Sequence, residues 1–187
     1  MRRPFTQIAA LGLGGHVFFE LAAGAGMPLA SVIGPGQAAG LWAAATAGTV
    51  REAQRRPGTK SAVFGLVNGF GLAAVLGHFS AWPKERTRLG LPWLADCEGL
   101  GRELMPAYNT ILYVSAVASL GGLVRESSSG RRMGLLFAIA AAPVLVIGQR
   151  WEFQRLQRLA EQRPNWWNRA LQRGVPTSPA GLSVDTD

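Results

Sequence analysis

Apolar residues along the chain gather into five long blocks that are almost free of charge, with polar and basic residues between them. Each block is close to the roughly 20 apolar residues that a helix needs to cross a bilayer. The blocks predict membrane-spanning helices over residues 5–26, 32–50, 61–82, 108–124 and 133–149. The predicted fold class is therefore all-α, a polytopic helical bundle in the membrane.

Proline and glycine stand between the blocks, and one long connection runs from residue 83 to 106. After the fifth block, arginines are interleaved with aromatic and apolar residues, a pattern typical of a helix in the headgroup layer. The sequence thus predicts a transmembrane bundle over residues 1–150, a basic amphipathic interfacial helix over 151–175 and a disordered tail over 176–187.

Composition agrees with a membrane location. Hydrophobic residues make up 48% of the chain and charged residues 16%, against about a quarter charged in soluble domains. The net charge of +8 comes mainly from arginines between and after the blocks, where topology signals stand, so nucleic acid is not expected as a partner. We expect a multi-pass cell-membrane protein in contact with lipids. An inside N-terminus is favoured, although basic residues are nearly equal on the two sides.

The first block begins like a secretory signal, with two arginines ahead of it and small residues near its end. His16 and Glu20 are unusual inside a cleaved segment, so we expect the helix to be retained, with cleavage as the alternative. Cys97 is the one cysteine of the chain, which excludes an intramolecular disulfide.

Small residues recur at every fourth position in two of the blocks. The second block carries Gly36, Gly40, Ala44 and Gly48, and the third carries Gly65, Gly69, Ala73 and Gly77. Lipid provides no hydrophobic drive for helix association, so such faces allow the close packing that holds transmembrane helices together. We expect the second span to pack against the third. A homodimer or a larger membrane complex is the alternative use of these faces.

Few polar side chains enter the blocks, and the order of the spans places most of them at one surface. The first and third spans end, and the fourth begins, at the surface that carries the long connection. Polar groups within spans normally point into the bundle or a wet cavity. The residues expected to converge there are His16, Glu20, His78, Asp96, Cys97, Glu98, Tyr108 and Asn109.

These residues predict a site in a cavity between the first, third and fourth spans. His16 and Glu20, four residues apart on one helix face, are the candidate catalytic residues. The candidate ligand-binding residues are Trp42, Asn68, His78, Trp82, Tyr108 and Asn109. Structural hydrogen bonds between helices are the alternative role for the pair. For Asp96 and Glu98, simple solvation in the long connection is the favoured interpretation.

The stretch over residues 14–20, GGHVFFE, resembles the EXPERA superfamily of small membrane proteins, whose best-known members are the emopamil-binding sterol isomerases. In that family a His-x-x-x-Glu pair on an early helix lies in a hydrophobic cavity for sterol-like or cationic amphiphilic ligands. The family also has a sizeable segment ahead of its last helix, similar to the connection ahead of Tyr108 and Asn109 here. The second span of this chain carries no carboxylate, unlike the isomerases, and a fifth span is additional.

The resemblance implies a proton shift. Glu20 or His16 would protonate a carbon–carbon double bond, and a second polar group would accept the proton or steady the carbocation. Trp42 or Trp82 would add a cation–π contribution. The predicted function is binding of a hydrophobic small molecule of the sterol, isoprenoid or lipid type, with isomerisation as the reaction that the resemblance implies.

Three alternatives stay open. No cofactor is predicted, but the two histidines lie on different helices near one surface, an arrangement that could hold haem b. His16, Glu20 and His78 could also form a two-histidine, one-carboxylate metal site. A non-enzymatic subunit or assembly partner of a larger membrane complex would need no polar site at all.

Overall fold

The computed structural model of the chain describes residues 2–55 and 61–174. Its α-helices are α1 Pro4–Ala23, α2 Ala30–Ile33, α3 Pro35–Gln54, α4 Ser61–Ala81, α5 Met105–Gly121 and α6 Arg131–Gln162. Helix α5 continues as a π-helical turn over Gly122–Glu126, and short 3-10 helices cover Arg102–Leu104 and Arg169–Gly174. The tail predicted to be disordered, residues 176–187, lies outside the described residues.

Four helical stretches are long and apolar enough to cross a membrane, namely Pro4–Ala23, Ala62–Ala81, Arg102–Glu126 and Arg131–Gln162. The second predicted span is not among them. Gly34, at a φ of 85°, separates α2 from α3 and leaves two large apolar residues of that block in α2. Helix α3 then consists largely of alanine and glycine and ends in charged residues, so its hydropathy is low although it has 20 residues.

The long connection contains a small sheet that the all-α prediction omitted. Strand β1 Lys84–Arg86 pairs antiparallel with β2 Pro92–Leu94, and Lys84 lies opposite Leu94. The Asn109 side chain holds β2 against α5, since it accepts the Leu94 N–H at 2.9 Å and donates to the Leu94 carbonyl at 3.0 Å. Strands of three residues are too short for a hydrophobic period to reveal them.

Helix α6 runs without a break past residue 150 to Gln162, so the fifth predicted span and the start of the predicted interfacial segment form one helix. The chain then folds back onto α1, where the Ala170 N–H donates to the Gly24 carbonyl at 2.9 Å. Gly24 caps α1 in the left-handed region, at a φ of 82°, a conformation that glycine adopts without strain.

The directions of the helices follow from contacts near their ends. The Asn68 amide donates to the Thr6 hydroxyl at 2.9 Å near the starts of α4 and α1, and Glu20 contacts His78 near their ends, so α1 and α4 are parallel. Helix α3 returns alongside α1, because the Arg3 N–H meets the Ala53 carbonyl at 3.1 Å. We call the end of the bundle where α1 and α4 finish and α5 begins the site end.

The helix pairing differs from the prediction that the second span packs on the third. Helix α4 packs mainly on α6, and α3 packs on α1. A Cβ at Gly65 would lie 2.8 Å from the carbonyl carbon of Gly130, and a Cβ at Gly69 would lie 3.0 Å from that of Gly134. The small residues of α4 therefore match glycines at the start of α6, which the spacing within α4 alone does not identify.

At the opposite end of the bundle a carboxylate caps α1. Glu126 accepts the backbone N–H groups of Phe5 and Thr6 at 2.8 and 2.9 Å, and the Thr6 hydroxyl at 2.7 Å. These donors have no partner within the helix, and a negative charge at a helix N-terminus is stabilising. Helix α1 is thus tied to the end of α5 at one end and to the site at the other.

Two buried apolar clusters surround the site end. One joins α1, α2, α3, α6 and the folded-back tail, and the other joins the long connection to α4 and α5. Their largest fully buried apolar members are Val17 and Met27 in the first, and Leu94, Tyr108 and Leu112 in the second. Tyr108 and Cys97 of the second cluster also belong to the polar site, since Tyr108 contacts both Cys97 and Glu20.

Candidate functional site

Glu20 is the centre of a polar cluster inside the site end, with only 1% of its surface exposed. The Tyr108 hydroxyl donates a hydrogen bond to its Oε1 atom. The same oxygen lies 3.6 Å from Nε2 of the buried His78. Three helices, α1, α4 and α5, thus meet at one carboxylate oxygen.

The ring of His78 is oriented by its other nitrogen. Nδ1 lies 2.8 Å from the Ala74 carbonyl, one turn earlier in α4, and a proton on Nδ1 satisfies that contact. The contact at Nδ1 orients the ring so that Nε2 faces Glu20. The Gln149 side-chain nitrogen of α6 also lies close to the ring, 3.1 Å from Nδ1.

His16 lies one turn before Glu20, on the same face of α1. Its ring meets the ring of His78 edge to face, with centroids 5.2 Å apart, and it is 3% exposed. Within the described part of the chain, its buried Nδ1 atom has no hydrogen-bond partner. A buried polar atom without a partner costs free energy, so this nitrogen is a candidate contact for a bound molecule.

The long connection brings two further titratable groups to the cluster. The Cys97 sulfur lies 3.8 Å from the Tyr108 hydroxyl. Burial raises the pKa of the Cys97 thiol, so it stays protonated and is a poor nucleophile. Burial also raises the pKa of the half-buried Glu98 carboxyl to about 8, and the charge of Glu20 acts in the same direction. Glu98 therefore holds its proton at neutral pH and can donate it in a hydrogen bond.

A cavity of about 290 Å³ adjoins the cluster. His16, Glu20, His78 and Glu98 form its polar wall, and most of the remaining lining is apolar or aromatic. The lining residues Leu29, Val32 and Trp151 are 42%, 57% and 53% exposed, so they mark a mouth between α2 and α6. The cavity thus combines an apolar volume with one titratable wall, as small-molecule sites do.

Two strained residues lie on the lining of this cavity. Leu29 and Glu98, at φ values of 74° and 50°, are the non-glycine residues with positive φ in the described ranges 2–55 and 61–174. Such conformations cost roughly 1–3 kcal/mol each and concentrate at functional sites. One of them stands at the mouth and the other on the polar wall.

The structure brings together some of the residues that the sequence singled out. His16, Glu20, His78 and Trp42 line the cavity, and Tyr108 reaches it through Glu20. The Trp42 indole donates to the Pro28 carbonyl at 3.2 Å, which holds its ring against the turn ahead of α2.

Three of the predicted ligand-binding residues lie elsewhere. Asn68 is buried between α1 and α4 at the opposite end of the bundle, where it binds Thr6. Asn109 anchors β2. Trp82 packs edge to face on Phe153, at 4.9 Å between ring centroids, and is absent from the cavity lining.

Sequence reasoning missed two polar lining residues, Gln149 and Glu152 of α6. The block pattern placed Gln149 at the end of a span and Glu152 in a basic tail. The available signal was that Glu152 is one of two acids, with Glu161, among the arginines of this segment. The exposed Asp96 stays outside the lining, whereas Glu98, which the pattern left in a solvated loop, belongs to the polar wall.

The cluster offers two overlapping sets of metal-ligating side chains. The ligand atoms of His16, Glu20 and His78 lie within 4.8 Å of one another, as do those of His78, Cys97 and Glu98. The haem alternative would need a porphyrin between the two histidine rings. In the structure these rings lie edge to face, with an interplanar angle of 83°.

No family model matches the chain, and no match was found among curated proteins or solved structures. A buried carboxylate in contact with an imidazole and a phenol, beside an apolar cavity, can receive or deliver a proton while excluding bulk water.

Proposed function

We propose that the chain is a multi-pass protein of the cell membrane in which α3 crosses the bilayer together with the four more apolar helices. Helices α1 and α4 are parallel, so the chain must return across the bundle between them. A helix of 20 residues is about 30 Å long, close to the hydrocarbon thickness of a bilayer. Five crossings put the two termini on opposite sides. Reporter fusions at each terminus test this topology, and reporter signals from the same side of the membrane would contradict it.

We propose further that the protein binds a hydrophobic small molecule in the cavity at the site end. The observation that carries this proposal is the apolar cavity of about 290 Å³ with a titratable wall made by His16, Glu20 and His78. A sterol, isoprenoid or lipid-like molecule supplies the apolar surface that such a volume accepts. The resemblance of residues 14–20 to the EXPERA superfamily supports the same ligand class.

A proton shift is the chemistry that suits this wall. Glu20 shares its Oε1 atom with the Tyr108 hydroxyl and with Nε2 of His78. A proton held by this group can pass to a double bond of the bound molecule, and the same group or the neighbouring His16 can take a proton from the adjacent carbon. The double bond then moves by one position, with no oxidation or reduction.

Filling the cavity tests ligand binding. Gly148 lines the cavity, and a Cβ there would meet no atom within 4 Å, so the Gly148→Leu variant should fold and occupy ligand space. We expect the amount of lipid that co-purifies with it to fall to less than half, measured by mass spectrometry of extracts. Gly15→Leu is the matched control, because Gly15 is also helical and open but lies off the cavity. Equal lipid content in both variants and in the wild type would contradict the proposal.

A divalent metal is the second candidate for the chemistry of the polar wall, favoured by the proximity of the two ligand sets that share His78. Zinc or iron suits two imidazoles and a carboxylate. Metal analysis of the purified protein separates the two candidates. If the wild type contains one equivalent of zinc or iron and His16→Ala does not, a metal-based mechanism would replace the proposed acid–base role of Glu20.

Association with another membrane protein is the second candidate for the whole chain. Gly36, Gly40 and Gly48 of α3 have open space where a Cβ would lie, so this face of small residues is uncovered by the described part of the chain. A homodimer or a larger complex would cover it. Loss of a co-purifying partner in Gly40→Leu, with unchanged lipid content, would favour this role over a small-molecule site.

A further inference from the structure

A second, more polar cleft lies beside the mouth of the cavity. It has a volume of about 410 Å³ and is lined by Ser31, Trp151, Arg155, Arg158, Leu159 and Gln162. Trp151 lines both the cleft and the apolar cavity. The two spaces therefore adjoin at the indole, one basic and the other apolar.

Arg155 is held in place by contacts that leave most of its donors unused. One Nη donates to the Ser31 carbonyl at 3.2 Å, and the guanidinium lies over the Trp151 ring at 4.6 Å from its centre. A guanidinium has five N–H donors. An arginine fixed in this way loses less conformational entropy when it binds an anion than a freely moving one does.

Arg158 adds a second cation one turn further along α6. Its Nε donates to the Gln154 carbonyl at 3.3 Å. Within residues 2–55 and 61–174, neither Arg155 nor Arg158 has a carboxylate at salt-bridge distance. The nearby Glu152 is already engaged, since it accepts the Ser31 N–H at 3.1 Å and the Ser31 hydroxyl. The cleft thus has two positive charges that the described part of the chain leaves unpaired.

The faces of α6 connect the cleft to the cavity. Trp151, Arg155 and Arg158 follow one another at spacings of four and three residues and so share a face. Leu145, Gly148 and Glu152 line the cavity on the adjacent face. From Arg155 to Leu145 the helix spans roughly 15 Å at 1.5 Å per residue. A molecule with an anionic head at the arginines can lay an apolar tail of that length past Trp151 into the cavity.

We propose that the ligand of this protein is an anionic amphiphile, whose phosphate or carboxylate head binds Arg155 and Arg158 while its apolar tail occupies the cavity. The inference rests on the proposed binding of a hydrophobic molecule and names its class. The head fixes the depth of the tail, so the same portion of the tail always meets Glu20 and His78. Arginine suits this role because two N–H groups of one guanidinium can bind a phosphate or carboxylate in parallel.

The test compares amphiphiles that share a tail and differ in the head. The full chain in an uncharged maltoside detergent is titrated by calorimetry with hexadecyl phosphate and with hexadecanol. We expect the wild type to bind hexadecyl phosphate about ten-fold more tightly than hexadecanol, and the Arg155→Gln/Arg158→Gln variant to lose that preference. The charge-matched control is Arg88→Gln/Arg102→Gln, because both of these arginines are exposed in the long connection.

The outcomes separate this inference from the proposed function. Equal affinity for the two heads in the wild type, or an unchanged preference in Arg155→Gln/Arg158→Gln, would overturn the anionic class while leaving a hydrophobic ligand in place. Failure of both amphiphiles to bind, together with no lipid in extracts, would overturn the proposed function as well. Nanodiscs containing phosphatidylglycerol distinguish the sources: retained phosphatidylglycerol identifies a membrane phospholipid, and its displacement by hexadecyl phosphate identifies a single-chain amphiphile.

Discussion

The Glu20→Gln variant is expected to slow the proposed proton shift by a factor of at least about 100, since a positioned acid or base contributes roughly 10²–10⁴-fold. An amide can still accept the Tyr108 hydrogen bond but cannot exchange a proton with a ligand. The variant also keeps nearly the same volume, so the cavity stays open. The ligand should therefore still bind while the chemistry is lost.

Solvent deuterium provides the measurement. If a proton is delivered to and taken from the bound molecule, the wild type incubated in D₂O will place deuterium on carbon in the co-purified ligand, which mass spectrometry detects. Glu103→Gln serves as control, because Glu103 is an exposed carboxylate of the long connection. An undiminished rate of deuterium incorporation in Glu20→Gln would show that Glu20 takes no part in the reaction. Absence of deuterium in the wild type would contradict the proton shift and leave ligand binding as the function.

The Gly134→Ala variant is expected to lower the free energy of unfolding by about 1–3 kcal/mol, the usual range for overpacking. An added Cβ would meet the Gly65 backbone, with its carbonyl carbon at 2.8 Å, and a Leu123 methyl. Backbone atoms of α4 cannot turn aside as a flexible side chain does. The two helices would have to separate along the contact that holds α4 against α6.

Substitution of a glycine in open space should change the free energy of unfolding in the opposite direction. Gly15 of α1 has no atom within 4 Å of an added Cβ, so Gly15→Ala should raise the free energy of unfolding by about 0.5–1 kcal/mol through lower backbone entropy in the unfolded state. Thermal unfolding of both variants in the same detergent measures the contrast. Equal stability of Gly134→Ala and Gly15→Ala would contradict the close approach of α4 and α6.

Some contacts were visible in the sequence because they are local or follow from connectivity. His16 and Glu20 share a face since they are four residues apart on a helix. Glu20, His78 and Tyr108 meet because parallel α1 and α4 both finish at the end of the bundle where α5 begins. Neither inference needed to know which helices touch.

Other contacts depended on packing between distant segments. The pairing of α4 with α6 depends on the backbone glycines Gly130 and Gly134 lying opposite Gly65 and Gly69, and many pairings satisfy a four-residue spacing within one helix. The conformation of Glu98, at a φ of 50°, places on the cavity wall a carboxyl that sequence patterning assigns to a solvated loop.

The sequence by itself determined the long apolar helices, the lengths of their connections and the end of the bundle at which the polar residues gather, because hydrophobic blocks and chain direction are properties of the chain alone. Only the tertiary structure decided that Asn68 and Asn109 serve the fold, that Gln149 and Glu152 line the cavity, and that a basic cleft adjoins its mouth. The positions of Gln149 and Glu152 and the basic cleft arise where α6 continues past the bundle and packs on α2, as in the bond from Ser31 to Glu152. Such contacts between segments more than a hundred residues apart leave no periodic signal in the sequence.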